Sequence, residues 1–377
     1  NKDSPSLGLY MKKQLPKIST TSKALAKSLL LAQGVLDQAK KYSTLPFTQT
    51  HIIRPRIDEK YYSWTHYGIF FPLLPEPHRY LNIMILIGTP GALAFDHDDI
   101  ITGNPRQTAT FFSSTAALEQ ALLKAYIIPE NTKINKDGTL IELGQEISIQ
   151  GKFPHIHING HYDGFDFDFD IDITSHVSWF IKTPIYDHFS LLAKFKGFLN
   201  YQAKRIETQG LCTYEYARAV GPHSITNKLI PDAYKLPLDF FTYQIINLNE
   251  ATQLLLTKAD IAGQTAAYTL HIRHLDQPAE IYTDVSFDII SHQVDDFVSP
   301  SGQKMRLPKY FSWIARNDAK QIILNIQAEI DCPFRYGHGR GYASSYIFTG
   351  HYFGNEVQGR GYIEYIDIEN PQAFDDE

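Results

Sequence analysis

Apolar and polar side chains alternate through residues 153–173, FPHIHINGHYDGFDFDFDIDI. Successive side chains on a strand point to opposite faces, so this period of two predicts strands with one buried side. Asn159-Gly160 is read as the two-residue hairpin turn, a register that pairs Ile158 with His161, His157 with Tyr162 and His155 with Gly164. Ile156, Ile158, Phe165, Phe167, Phe169 and Ile171 then share one face. His155, His157, Asp166, Asp168, Asp170 and Asp172 share the other. The apolar face is expected to be a barrel lumen or core and the acidic face the outer wall, because a row of like charges stays in water.

Elsewhere, short apolar segments such as RYLNIMILIG, RQTATFFSS and QEISIQGKFPHIHI follow one another between turn residues. This texture predicts antiparallel barrels or sandwiches in place of a parallel α/β sheet. Two stretches have helical spacing. Residues 22–42 place Leu25, Leu29, Ala32, Leu36 and Ala39 on one stripe, expected to pack on the body of the protein. Residues 113–126, SSTAALEQALLKAY, carry a Ser cap and an apolar stripe and are read as a helical insertion. Breakers crowd residues 220–240, which are read as a linker.

A degenerate repeat spans that linker. QGLCTYEYA begins at Gln209 and QGRGYIEYI at Gln358, so Glu215 matches Glu364 and Tyr216 matches Tyr365. Upstream of each copy stands VSWFI with Trp179, or FSWIA with Trp313. Two landmarks in the same order predict two related halves, each closing a sheet on itself and so removing exposed strand edges. The expected organisation is a basic helical segment at 1–44, a first barrel at 45–219, a linker at 220–240 and a second barrel at 241–377.

The 377 residues carry a net charge of −6, which gives no electrostatic reason to expect nucleic acid as a partner. No apolar run approaches the roughly 20 residues that cross a bilayer as a helix. Both a cytoplasmic and a cell-envelope location stay open, as does removal of a signal segment. Lys12, Lys13 and Lys17 precede the first helix, so residues 11–42 are a candidate contact with an anionic membrane surface. Cys212 and Cys332 lie far apart with no metal spacing and are read as buried thiols.

The segments DDFVSPSGQKMRLPKYFSWIA (295–315) and YIFTGHYFGNEVQGRGYIEYI (346–366) resemble the lipocalin-like double-barrel group that includes carotenoid 1,2-hydratases and AttH-like proteins. The resemblance implies an all-β chain of two calycin-like antiparallel barrels packed together, preceded by the N-terminal helical segment. It implies an apolar small molecule, isoprenoid or lipid-like, held in a lumen or in the seam between barrels. The chemistry it implies is protonation of an alkene followed by water addition, or cyclisation, with no cofactor. A non-catalytic lipid carrier or envelope stress protein is the alternative.

Such chemistry needs a carboxylic acid that keeps its proton, which burial beside apolar walls provides. Asp96, His97 and Asp98, in AFDHDDIITG at an apparent strand end, are the asymmetric candidates; Glu215 is kept as a further acid. Glu364 and Glu215 are otherwise read as groups closing each barrel, because one reaction seldom needs the same acid twice. Phe165, Phe167, Phe169, Trp179, Trp313 and Tyr346 are the candidate ligand-lining residues. His155 and His157 form a His-x-His pair, the minority candidate for a Zn or Ca site in a metal-dependent enzyme. GHGRGYASSY at 337–346 lacks the Walker pattern and is read as a flexible hairpin or loop, flanking an entrance.

Overall fold

The computed structural model describes residues 18–368. It contains two large antiparallel, barrel-like sheets built on one plan. In the first, of eleven strands, the opening strand Trp64–Phe71 pairs with the closing strand Lys204–Ala219. Its outermost strands, Leu122–Ile127 and Thr132–Ile134, follow one another in sequence, so the short link between them draws the two sheet ends together. Lys124 on one side meets Glu146 on the other. The second sheet, of ten strands, repeats the device: Leu238–Asn247 pairs with Asn355–Asp367, and the end strands Glu280–Tyr282 and Asp284–His292 adjoin in sequence. Between the sheets the chain makes two short 3-10 turns, Pro222–Ser224 and Asp232–Tyr234.

Each barrel has its own apolar interior. Phe165, Phe167, Phe169 and Trp179 pack with Phe71, Phe189 and Phe195 in the first; Trp313, Tyr346, Phe287 and Phe311 pack in the second. A third cluster, including Phe70, Tyr80, Phe112, Tyr243 and Tyr362, lies where the barrels meet. The strand Trp64–Phe71 shows why: Tyr67, Ile69 and Phe71 enter the barrel core while Phe70 packs on Tyr243 and Tyr362 of the other barrel, at 5.9 and 5.5 Å between ring centroids. A strand buried on both faces loses polar alternation. The runs IMILI and TFFSS have this origin.

The long hairpin departs from the expected register. Its turn is Asp163-Gly164, both with positive φ (52° and 72°), and Asn159-Gly160 lies within the strand His155–Tyr162. Positive φ at both central residues is what a type I′ turn demands, and Asp-Gly meets it. Gly160 serves another purpose: a Cβ there would lie 2.3 Å from the Phe167 ring. The shifted register faces His155 with Asp172, His157 with Asp170 and His161 with Asp166. The acidic row therefore sits on the outer wall beside a row of imidazoles, with His155 Nδ1 2.6 Å from Asp172 and His157 Nδ1 3.0 Å from Asp170.

Two helical expectations also change. Residues 113–126 are the end of one strand, a turn and the strand Leu122–Ile127, in which Ala125 pairs with Thr110 and Tyr126 with Ala109. Sheet pairing and burial of Tyr126 override the local helical spacing. The N-terminal segment is helical as Thr20–Leu36 and Ala39–Ser43. Of the expected stripe, Ala39 is buried and Leu29 and Ala32 are partly buried, but in the first helix Ser22 and Ala26 are the buried positions, while Leu25 and Leu36 are about half exposed (53% and 48%). The helix is held by hydrogen bonds, Ser22 Oγ donating to the Ala233 carbonyl and Gln33 Nε2 to that of Ala266. Ser43 Oγ accepts from the Trp179 amide, which seats the second helix on the first barrel. Lys12, Lys13 and Lys17 lie outside the described residues. Among the described residues no helix is long and apolar enough to cross a membrane.

Candidate active site

The repeat places Glu215 and Glu364 at equivalent positions. Glu215, on the closing strand of the first barrel, faces Gly68 and Ser190 on its neighbours; Glu364, on that of the second, faces Tyr243 and Ala343. Period two decides their direction. Tyr214 and Tyr216 point into the first barrel, and Ile363 and Tyr365 into the second, so both glutamates point outward into the seam. There they meet on one cavity of about 60 Å³. At about 30 Å³ for each liquid water, that space holds about two waters.

The walls are apolar where the strands cross: Trp64, Phe70, Met84, Leu86, Phe95, Phe112 and Phe241. The polar groups are few and buried. Glu215 and Glu364 are only 3% and 1% exposed. His188 Nε2 is 2.7 Å from Glu215 Oε1, and the Tyr186 hydroxyl is 3.1 Å from His188 Nδ1. The tautomer with Nε2–H donating to Glu215 and Nδ1 accepting from Tyr186 satisfies both contacts. Glu215 Oε2 is buried without a partner. Tyr362 donates to Glu364 Oε1 at 3.0 Å, and His338 Nε2 stands 3.3 Å from Glu364 Oε2 without hydrogen-bond geometry.

Burial, with Glu215 adding to it, holds the Glu364 carboxyl well above the usual carboxylate range. Burial acts in the opposite sense on the imidazoles, pushing His66 and His97 down to about 4. His338 is lowered well below its ordinary value by burial and by His66 and His97. Burial thus favours the protonated form of Glu364 and the uncharged forms of His66, His97 and His338, an arrangement in which a carboxylic acid can act as a proton donor.

Of the residues singled out in AFDHDDIITG, His97 lines the cavity, its Nε2 accepting from the Gly339 amide at 3.1 Å. Asp96 and Asp98 do not form a solvated strand end. They turn away into an ion cluster around the buried Lys235, whose Nζ lies 2.9 Å from Asp96, closer to Asp98, and 3.4 Å from Asp232; Arg340 in turn grips Asp232. Asp96 Oδ1 also accepts from the amides of Gly91 and Ala92. Burial raises Asp96 to about 6 against the pull of Lys235. This cluster ties the inter-barrel segment, the 88–101 loop and the Gly339–Arg340 turn together, and so fixes His97. The turn, expected to flank an entrance, supplies Gly337, His338 and Gly339 to the cavity wall.

Phe165, Phe167, Phe169, Trp179, Trp313 and Tyr346 are packed in the two barrel interiors, away from the cavity. His155 and His157 lie on the exposed wall, far from compact ligand geometry; among the described residues no group of three or more His, Cys, Asp or Glu is arranged to hold a metal ion. Cys212 and Cys332 are free and buried. Sequence reasoning missed His66 and His188, placed His338 only in a loop flanking an entrance, and assigned Glu364 to barrel closure. The signal for the glutamates was present in the repeat: Tyr-Glu-Tyr and Ile-Glu-Tyr put a carboxylate on the face opposite two core side chains.

Residues 84–377 match a family of unknown function, DUF6670. The chain belongs to that family. Among curated proteins, none matches the sequence. Two solved structures share the architecture of this DUF6670 member. One is kievitone hydratase from Nectria haematococca, at 11% identity and a TM-score of 0.54, covering 86% of this chain and 94% of that one. The other is an AttH-like protein from Nitrosomonas europaea, at 12% identity and a TM-score of 0.55, covering 86% and 98%. At such identities the likeness establishes the lipocalin-like double-barrel fold.

Proposed function

We propose that the seam between the barrels is an acid–base active site that adds water across a carbon–carbon double bond of an apolar small molecule. The observation that carries this reading is the meeting of Glu215 and Glu364, one from each barrel, on a single apolar cavity. One of two close buried carboxyls keeps its proton. The name of the fold neighbour kievitone hydratase supports the reaction class.

In the forward step, Glu364 transfers its proton to one alkene carbon: its O–H bond breaks, a C–H bond forms from the π pair, and positive charge develops on the other carbon. The faces of Phe70, Phe112 and Phe241 stabilise that charge. A water oxygen bonds to the cationic carbon and releases its proton to Glu215, which His188 holds in place. Return of that proton from Glu215 to Glu364 restores the resting state, and the sum is substrate plus water. No redox change occurs, so the chemistry calls for no oxidant or reductant.

The test is to incubate the protein with a panel of isoprenoid and fatty alkenes in 18O-labelled water and analyse products by mass spectrometry. A labelled hydroxyl on at least one product is expected. Glu364→Gln and Glu215→Gln should each lower that turnover by about 100-fold or more, the size of a general acid–base contribution, while native mass spectrometry still detects the bound alkene. Alkenes that bind without any gain of water, or variants that turn over at the wild-type rate, would overturn the proposal and leave a carrier.

A further inference from the structure

The repeat creates a chemical problem: two glutamates at equivalent positions start with equivalent backbones, yet acid and base roles require them to differ. The difference comes from outside the repeat. Arg273, on the strand Gln264–His274 of the second barrel, is fully buried and crosses the seam to the first. Its Nη1 donates to the carbonyl and Oγ of Ser190 at 2.9 and 3.1 Å, and its Nη2 donates to Gln253 Oε1. Ser190 is the residue directly opposite Glu215 on the neighbouring strand. The guanidinium is thus anchored on the strand neighbour of Glu215, and among the described residues no carboxylate forms an ion pair with it; its Nε is buried without a partner.

A buried charge without a counter-ion is costly. Burial lowers Arg273 to about 10, opposed by Tyr243, Glu215 and Cys212, so it stays a cation at neutral pH. The groups facing Glu215 are His66, His188, Tyr186 and Tyr243, with Glu364 across the cavity and Arg273 as the cation. Glu364 has neutral neighbours, Tyr243, Tyr362, Ala343 and the uncharged His338. We propose that Arg273 is a positioning residue that gives the two carboxyls different tasks, its positive charge set on the Glu215 side of the seam so that Glu215 serves as the base and Glu364 as the acid. This deepens the acid–base reading of the cavity and rests on it.

Infrared spectroscopy of the protonated-carboxyl C=O stretch at pH 7 tests the assignment without any substrate. The expected pattern is a band lost in Glu364→Gln and kept in Glu215→Gln. Adding Arg273→Met to Glu364→Gln should restore a band, because Glu215 without the cation holds a proton; adding Arg273→Lys should not. A double variant R273M/E364Q that lacks the band as E364Q does, or a wild-type band that survives E364Q, would overturn the inference. If R273M does not fold, Gln253→Glu supplies a counter-ion to Arg273 in place, and Q253E/E364Q is expected to show the restored band; its absence overturns the inference equally. Failure of every alkene to gain water would refute the hydration reading and leave the band pattern standing, so the two failures are distinguishable.

Discussion

Replacing His66 by Gln should make the protein less sensitive to acid by a calculable amount. Burial lowers the His66 imidazole from 6.5 to about 4. Because the folded value is depressed, the unfolded chain takes up a proton first as pH falls, so stability is lost between pH 6.5 and 4 and no further below. At pH 5 the proton-binding factors of the unfolded and folded states are about 33 and about 1.1, and their ratio amounts to about 2 kcal/mol. His97 is lowered to the same level, so the two cavity imidazoles together contribute about 4 kcal/mol of acid sensitivity. That is a large share of the roughly 5–15 kcal/mol that holds a domain folded. The assay is urea unfolding of wild type and H66Q at pH 7 and pH 5. The expected result is a pH-dependent loss smaller by about 2 kcal/mol in H66Q. Comparing the losses cancels the packing cost of the substitution and the contribution of the other titrating groups. An equal loss in both chains would refute the claim that His66 sits uncharged in a desolvated cavity.

Glu364 works with the opposite sign. Its folded value is raised, so its contribution is fully present below the ordinary carboxylate value and is lost as pH rises; Glu364→Gln should therefore unfold at higher urea than wild type at pH 8, with the advantage vanishing toward pH 4, and an advantage that grew in acid would contradict this. Lys235→Met leaves Asp96, Asp98 and Asp232 crowded without their shared cation and should cost about 3–5 kcal/mol by urea unfolding; a loss under about 1 kcal/mol would mean that the cluster does not pin the His97 loop. Gly160→Ala drives a methyl into the Phe167 ring and should cost about 1–3 kcal/mol in the same assay, whereas a neutral result would contradict the placement of Gly160 inside the strand.

The fold was legible because its strongest signals are periodic. Alternation at 153–173 and the paired Glu-Tyr motifs come from backbone geometry and from one plan used twice, and both survive in a single sequence. What failed was local information with more than one reading. Asn159-Gly160 and Asp163-Gly164 are both sound hairpin turns, and the choice between them rests on the Phe167 ring over Gly160, which is a tertiary contact. Residues 113–126 have a helical stripe that sheet pairing overrides. The site was harder still. Glu364, His66, His188 and His338 are scattered along the chain and converge only because the outer faces of two barrels meet, a docking that no spacing encodes. Repetition of the glutamates argued for structure when each barrel was considered alone. Once the barrels face each other, the same repetition is what assembles a carboxyl pair.

The chain's three tryptophans make a direct measurement available. Trp64 lines the seam cavity, Trp179 is packed in the first barrel and Trp313 in the second. Titration with a brominated isoprenoid, whose heavy atoms quench indole fluorescence at contact, reports which compartment the ligand enters when wild type is compared with Trp64→Phe, Trp179→Phe and Trp313→Phe. The account expects saturable quenching that disappears in W64F and persists in the other two. Quenching that persists in W64F and disappears in W179F or W313F would place the ligand in a barrel interior and contradict a site built from both barrels.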